Sequence, residues 1–209
     1  MPAAVTHIAI AEKVFAEFFS GQEKSDFMIG LLFPDIRYLA GLKKEETHLP
    51  GVKLADCRED HAFWAGFKFH SLTDTLLDNF ILGRSCDEAE YEELTALKYL
   101  QDELLYDKVP DWREIGKMLD KILPEENLFA VNPKDVVRWH DILKKYLGEK
   151  PTDQAREKII IEIIGHNPQA IEQFTRSNQK MEALRGDKEL TDKLLFFYDH
   201  FEELLKKGV

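Results

Sequence analysis

Five residues near the start of the chain carry side chains that bind metal ions or move protons, and their placement is unusual: His7, Asp35, His48, His70 and Asp74. His70 and Asp74 fall in the stretch FKFHSLTD. Phe63, Phe67, His70, Asp74 and Leu77 follow a 4, 3, 4, 3 spacing and share one helical stripe. A carboxylate turned inward on such a stripe is costly unless a cation or hydrogen-bond donors compensate it. A histidine followed four residues later by an aspartate lets both side chains reach one metal ion, and a buried hydrogen bond satisfies the pair equally well.

The remaining candidates widen the set. His7 shares a face with Ala11, Val14 and Phe18; Asp35 follows Pro34 in GLLFPD, where an apolar helix breaks; His48 stands beside proline and glycine in ETHLPG. Three imidazoles and two carboxylates form a ligand mixture suited to zinc and related divalent metals.

The elements that position these residues read as helices. Apolar periodicity predicts helices over 5–19, 24–32, 60–82, 87–106, 112–122, 133–147, 152–164, 169–184 and 190–207, with almost no alternating strand pattern. Pro34 stops the second of them, and Gly83 reads as a stop for the third. Prolines 110, 124, 133, 151 and 168 fall between segments or in a first turn, where a missing amide proton costs least. Segment 41–58 is expected to be the longest irregular stretch. The expectation is one all-α domain over 1–209, a multi-helix bundle.

Composition bounds the function. The chain has 209 residues, 44% hydrophobic and 32% charged, an ordinary globular balance, and a formal net charge of -11 that argues against a large nucleic-acid partner. The first residues read as mature chain rather than a signal peptide, no membrane span is expected, and Cys57 and Cys86 are too few for a disulfide scaffold, so a cytoplasmic setting is expected. Further features read as ordinary surface or core. Asp60-His61 reads as a solvated helix start, His140-Asp141 as part of a surface helix, 88–93 as a solvated acidic face, and Phe196, Phe197, Tyr198 and Phe201 as core.

The order Thr6-His7, Gly30 to Asp35, His48, and His70 with Asp74 resembles the bacterial zinc-dependent phospholipase C enzymes and the related single-strand-specific zinc nucleases over roughly the first 80 residues. That resemblance implies the all-α fold of those enzymes and hydrolysis of phosphate esters. It further implies that Asp35, His48, His70 and Asp74 ligate zinc, that Asp74 bridges toward a second site with His7, and that Asp35 orients the attacking water. The family has a further histidine some six residues after its HxxxD helix, where Phe80 stands here. It then has a second histidine-plus-acid pair, whereas His140, His166 and His200 are followed four residues on by Lys144, Ala170 and Leu204. One or two zinc ions, or another divalent metal, are therefore expected, with a small phosphoester or phospholipid as substrate. The alternative is a non-catalytic helical metal-binding protein of the same fold.

Overall fold

The computed structural model describes residues 4–82, 91–165 and 167–207, and every regular element among them is helical. In chain order these are α1 (Ala4–Phe18), α2 (Lys24–Leu32), α3 (Arg37–Ala40), α4 (Lys44–Thr47), α5 (Leu54–Arg58), α6 (Ala62–Leu82), α7 (Tyr91–Leu105), α8 (Trp112–Met118), α9 (Pro133–Leu147), α10 (Asp153–Ile164), α11 (Pro168–Leu184), α12 (Lys188–Asp199) and α13 (Phe201–Lys207). Short 3-10 turns join several of them, including Phe33–Ile36 between α2 and α3. Among the described residues no helix is long and apolar enough to cross a membrane.

Local sequence sets the helix starts. Asp111, Asn132, Thr152, Asn167 and Asp187 each accept a hydrogen bond from a backbone amide of the first turn of α8 to α12, and Pro133 and Pro168 occupy first-turn positions. Three boundaries differ from the sequence expectation. Segment 41–58 contains two short helices, α4 and α5. The run 112–122 stops at Met118. The run 190–207 is interrupted at His200, whose ring stacks on Phe196 and whose backbone leaves helical geometry. Gly83, Cys86, Glu88 and Glu90 lie outside the described residues.

The centre of the molecule is the crossing of α2 and α6. Gly30 faces the backbone of Phe63, and Gly66 faces the backbone of Phe27; a Cβ at either position would stand 2.0 Å from the opposing carbonyl oxygen. The two backbones therefore touch, a separation that only glycine permits. On one side of the crossing Phe33, Phe63, Phe67 and Trp139 pack with α1 and α9; on the other Phe19, Phe27, Phe69 and Phe201 pack with α1 and α13. Phe67 is buried against Phe63, Trp64 and Phe129, a wall of the kind its stripe position predicts. A separate apolar cluster joins α7, α10, α11 and α12 through Tyr99, Ile160, Phe174 and Leu194.

His140 departs from its surface reading. It is buried, its Nδ1 bonds the Leu119 carbonyl at 3.0 Å, and its Nε2 meets the fully buried Glu126 carboxylate at 2.7 Å. Glu126 Oε2 also accepts the Leu123 amide, so the pair fastens the 3-10 turn Pro124–Leu128 to α9. The adjacent Asp141 is exposed and pairs with Lys144.

Because neither backbone at the crossing can retreat without separating the two halves of the core, Gly66→Ala is expected to destabilise the protein by about 3 kcal/mol or more, at the upper end of overpacking costs. Urea unfolding followed by circular dichroism measures this; an unchanged midpoint would mean that the helices do not touch as described.

Candidate metal centre

Pro34 starts the construction of the site. It ends α2, and the carbonyls at the end of that helix turn to side chains for donors. Leu32 O accepts the indole N–H of Trp139 at 3.1 Å, and Leu31 O accepts His70 Nδ1–H at 2.8 Å. A carbonyl only accepts, so the proton of His70 sits on Nδ1 and the lone pair of Nε2 points away from α2. The crossing at Gly30 and Gly66, one turn from His70, brings the two partners this close.

His48 arrives from the opposite side. The Leu49 amide donates to Ser71 Oγ at 3.0 Å, tying the loop to α6, and His48 Nδ1 contacts Thr47 Oγ1 at 2.9 Å. The result is that His48 Nε2 and His70 Nε2 face each other 3.2 Å apart. Two imidazole nitrogens bound at the usual length around one tetrahedral zinc are about 3.3 Å apart. Asp74 Oδ2 stands 3.7 Å from His48 Nε2 and 3.8 Å from His70 Nε2, and Asp35 Oδ1 stands 3.9 Å from His48 Nε2. Asp35, His48 and His70 form one group able to hold a metal ion, and His7, His70 and Asp74 form another. The five residues singled out in the sequence thus converge on one buried place.

Asp74 faces two ways. While Oδ2 points at His48 and His70, Oδ1 lies 3.5 Å from His7 Nε2 and 3.0 Å from Lys98 Nζ on α7. His7 is buried, its ring stacks on that of His70 with centroids 4.0 Å apart, and its Nδ1 has no hydrogen-bond partner. Lys98 is the cation that accompanies this second side of the cluster.

Electrostatics keep the donors in their metal-binding forms. Burial lowers His70 to about 3, with His7 adding to the effect. Burial likewise lowers His48 to about 4 against the pull of Asp35 and Asp74. Both imidazoles are neutral at pH 7. Burial alone would raise Asp74, but the Lys98 ammonium and the bond to His7 outweigh it and hold the carboxyl well below the usual range. Asp35 is raised by burial and lowered more by the surrounding His70 and His48, so it too stays below its ordinary value.

Lys98 and Asp102 escaped the sequence reading although the signal was present. They are four residues apart on α7, the spacing that marked His70 and Asp74, and Asp102 is fully buried. Asp102 Oδ1 accepts the Thr6 amide at 2.8 Å and the Thr6 hydroxyl at 2.7 Å, while Oδ2 accepts the Tyr146 hydroxyl at 2.8 Å. It thereby fixes the first turn of α1 and the direction of His7. Burial raises the Asp102 carboxyl to about 6 despite these three bonds. His61, by contrast, is exposed and does not belong to the cluster.

Comparison of the chain with family models, with curated proteins and with solved structures gave no match.

Two outcomes follow from these charges. The folded-state values of His48 and His70 lie below the ordinary 6.5, so the unfolded chain binds more protons. The stability they contribute to the metal-free protein is complete above 6.5 and is lost as pH falls through about 4, which a series of thermal melts at decreasing pH would record. A midpoint independent of pH across that window would contradict the burial of neutral imidazoles. Asp102 is raised instead, so its ionised form opposes folding at pH 7. Asp102→Asn, which keeps an acceptor for Thr6, should therefore leave stability within about 1 kcal/mol, whereas Asp102→Ala should cost about 1–3 kcal/mol by orphaning the Thr6 amide. Denaturant titration of the two variants compares them.

Proposed function

We propose that the cluster is a divalent metal centre, most simply for zinc, and that the protein is a metal-dependent hydrolase of phosphate esters resembling the zinc-dependent phospholipase C enzymes. The observation that carries this reading is the pair of Nε2 atoms facing each other at 3.2 Å, with both Nδ1 atoms engaged elsewhere and two carboxylates alongside. An unshared hydrogen bond between two neutral imidazoles needs one donor and leaves both carboxylates poorly served; a cation satisfies all four groups at once. The outer partners fit as well, because metal-binding histidines commonly direct their other ring nitrogen to a carbonyl or hydroxyl.

In this reading Asp35, His48, His70 and Asp74 hold the ion. The chemistry a divalent ion supplies in such a cage is acidification of water and neutralisation of charge on phosphoryl oxygens. Asp35, kept ionised at pH 7, is the group placed to orient a water and accept its proton. Lys98 contributes a fixed positive charge on the far side of Asp74 and holds that carboxylate in its two-faced orientation. The position beside His7 thus already has a cation in the Lys98 ammonium, which supports a single metal ion.

A second reading, a structural metal in a non-catalytic helical protein, is favoured by the same lysine: its ammonium satisfies Asp74 Oδ1 without any ligand. Elemental analysis after dialysis against zinc should give one ion per chain in the wild type and none in His70→Ala. Turnover of a generic phosphodiester by the zinc-loaded protein should fall at least about a hundredfold in Asp35→Asn, the scale of losing a positioned base. Zinc binding that raises the melting temperature without any turnover would establish the structural reading instead. Absence of bound zinc in the wild type would refute both.

A further inference from the structure

A half-enclosed cavity of about 200 Å³ opens between α7, α10 and α11, lined by Tyr99, Ile160, Ile163, Phe174 and, from α3, Tyr38. Two of its lining residues neighbour the cluster's along their helices. Tyr38 is three residues from Asp35 along a continuous helical segment, and Thr95, which also lines the cavity, is one turn before Lys98 on α7. Between Asp35 and Tyr38 stands Arg37, whose guanidinium covers the Tyr38 ring at 3.9 Å and lowers His48 through its charge. Two residues lining the cavity, Tyr38 and Thr95, thus stand one turn from Asp35 and from Lys98, the partner of Asp74.

Tyr38, Thr95, Tyr99, Gln173 and Ser177 bring polar atoms to this largely apolar space, and among them the Ser177 hydroxyl is buried without a partner. Ser177 is 1% exposed, lines the cavity, and its hydroxyl has no hydrogen-bond partner. A helical serine can bond the carbonyl four residues back, so an unpartnered buried hydroxyl points to an oxygen supplied from outside. Size limits the rest of the ligand. An apolar cavity of about 150 Å³ holds a six-carbon ring, so a volume of about 200 Å³ takes about eight carbons.

We infer that this cavity receives the organic group of the phosphoester: an apolar body of about eight carbons bearing one hydrogen-bonding oxygen, with the phosphate at the metal centre and the oxygen at Ser177. The inference rests on the metal-centre reading for the phosphate end only. The largely apolar wall of Ile160, Ile163, Ile164, Ala170 and Phe174 favours an apolar ester over a nucleoside or sugar phosphate, whose several polar groups it would strip of water.

Calorimetric titration of 1-butanol, 1-hexanol and 1-octanol into metal-stripped full-length protein tests the cavity by itself. Affinity is expected to rise about fourfold per methylene, to fall about fivefold in Ser177→Ala, and to vanish in Ala170→Phe, which fills the space. Ala170→Phe should keep its helical circular dichroism and its zinc content; if it does not fold, Ser177→Ala carries the test. In zinc-loaded protein 8-hydroxyoctyl phosphate should bind at least about tenfold more tightly than 1-octanol, and stripping the zinc should abolish that gain. Affinity that does not depend on chain length, or on either variant, overturns the cavity as a ligand site and leaves the metal centre standing. Zinc binding without a gain for the phosphate overturns the cavity's assignment to that centre. Failure to bind zinc overturns the metal centre and the phosphoester assignment together, whatever the alcohols do.

Discussion

The backbone contact between α2 and α6 is the constraint on which the rest depends. Gly30 and Gly66 remove the side chains that would hold the helices apart, and a Cβ at either would meet a carbonyl oxygen at 2.0 Å. Closeness there has two consequences. Aromatic side chains on both flanks interdigitate into a core around the crossing. One turn beyond it, the Leu31 carbonyl reaches the His70 ring, which fixes the tautomer and aims Nε2 into the cluster. A packing requirement thus becomes a chemical one, since the orientation of a ligand nitrogen is set by how near two helices come.

Buried charge is the second theme. Asp35 and Asp74 would be untenable in an apolar interior by themselves. Asp74 is sustained on one side by Lys98 and His7, which leaves Oδ2 turned toward His48 and His70. Asp102 solves the same problem differently, with three neutral donors and a raised carboxyl rather than an ion pair. The two carboxylates lie on neighbouring helices, and both constrain His7, one by contact and the other through Thr6. The N-terminal turn of α1 is held by residues nearly a hundred positions away, so the cluster also ties the start of the chain to its middle.

Much of this is legible in the residues. The 4, 3, 4, 3 stripe on α6 placed His70 and Asp74 inward, and the Pro34 break placed Asp35 at the end of α2. Pro133 and Pro168, read as first-turn or inter-segment residues, stand at the first positions of α9 and α11. Of the C-terminal aromatic run read as core, Phe197 and Phe201 are buried, whereas Phe196 is half exposed, contrary to that reading. Other features were hidden because their cause is tertiary. Lys98 reads as a solvated surface lysine until a carboxylate on another helix faces it. His140 looks like the polar side of an amphipathic helix, yet Glu126 follows it into the interior from a 3-10 turn. The break at His200 depends on ring stacking with Phe196 rather than on a glycine or proline. Propensity and pattern specify faces and ends; partners across the fold are specified by packing.

Asp74 with one oxygen for a metal ion and one for a lysine is the centre of the functional account. Anomalous diffraction at the zinc edge, on crystals of the full chain soaked in zinc, tests it most directly. The account predicts one strong peak within bonding distance of Asp35, His48, His70 and Asp74 Oδ2, with the Lys98 ammonium still on Asp74 Oδ1. Two peaks with Lys98 displaced, or no peak while the two histidines hydrogen-bond each other, would contradict it.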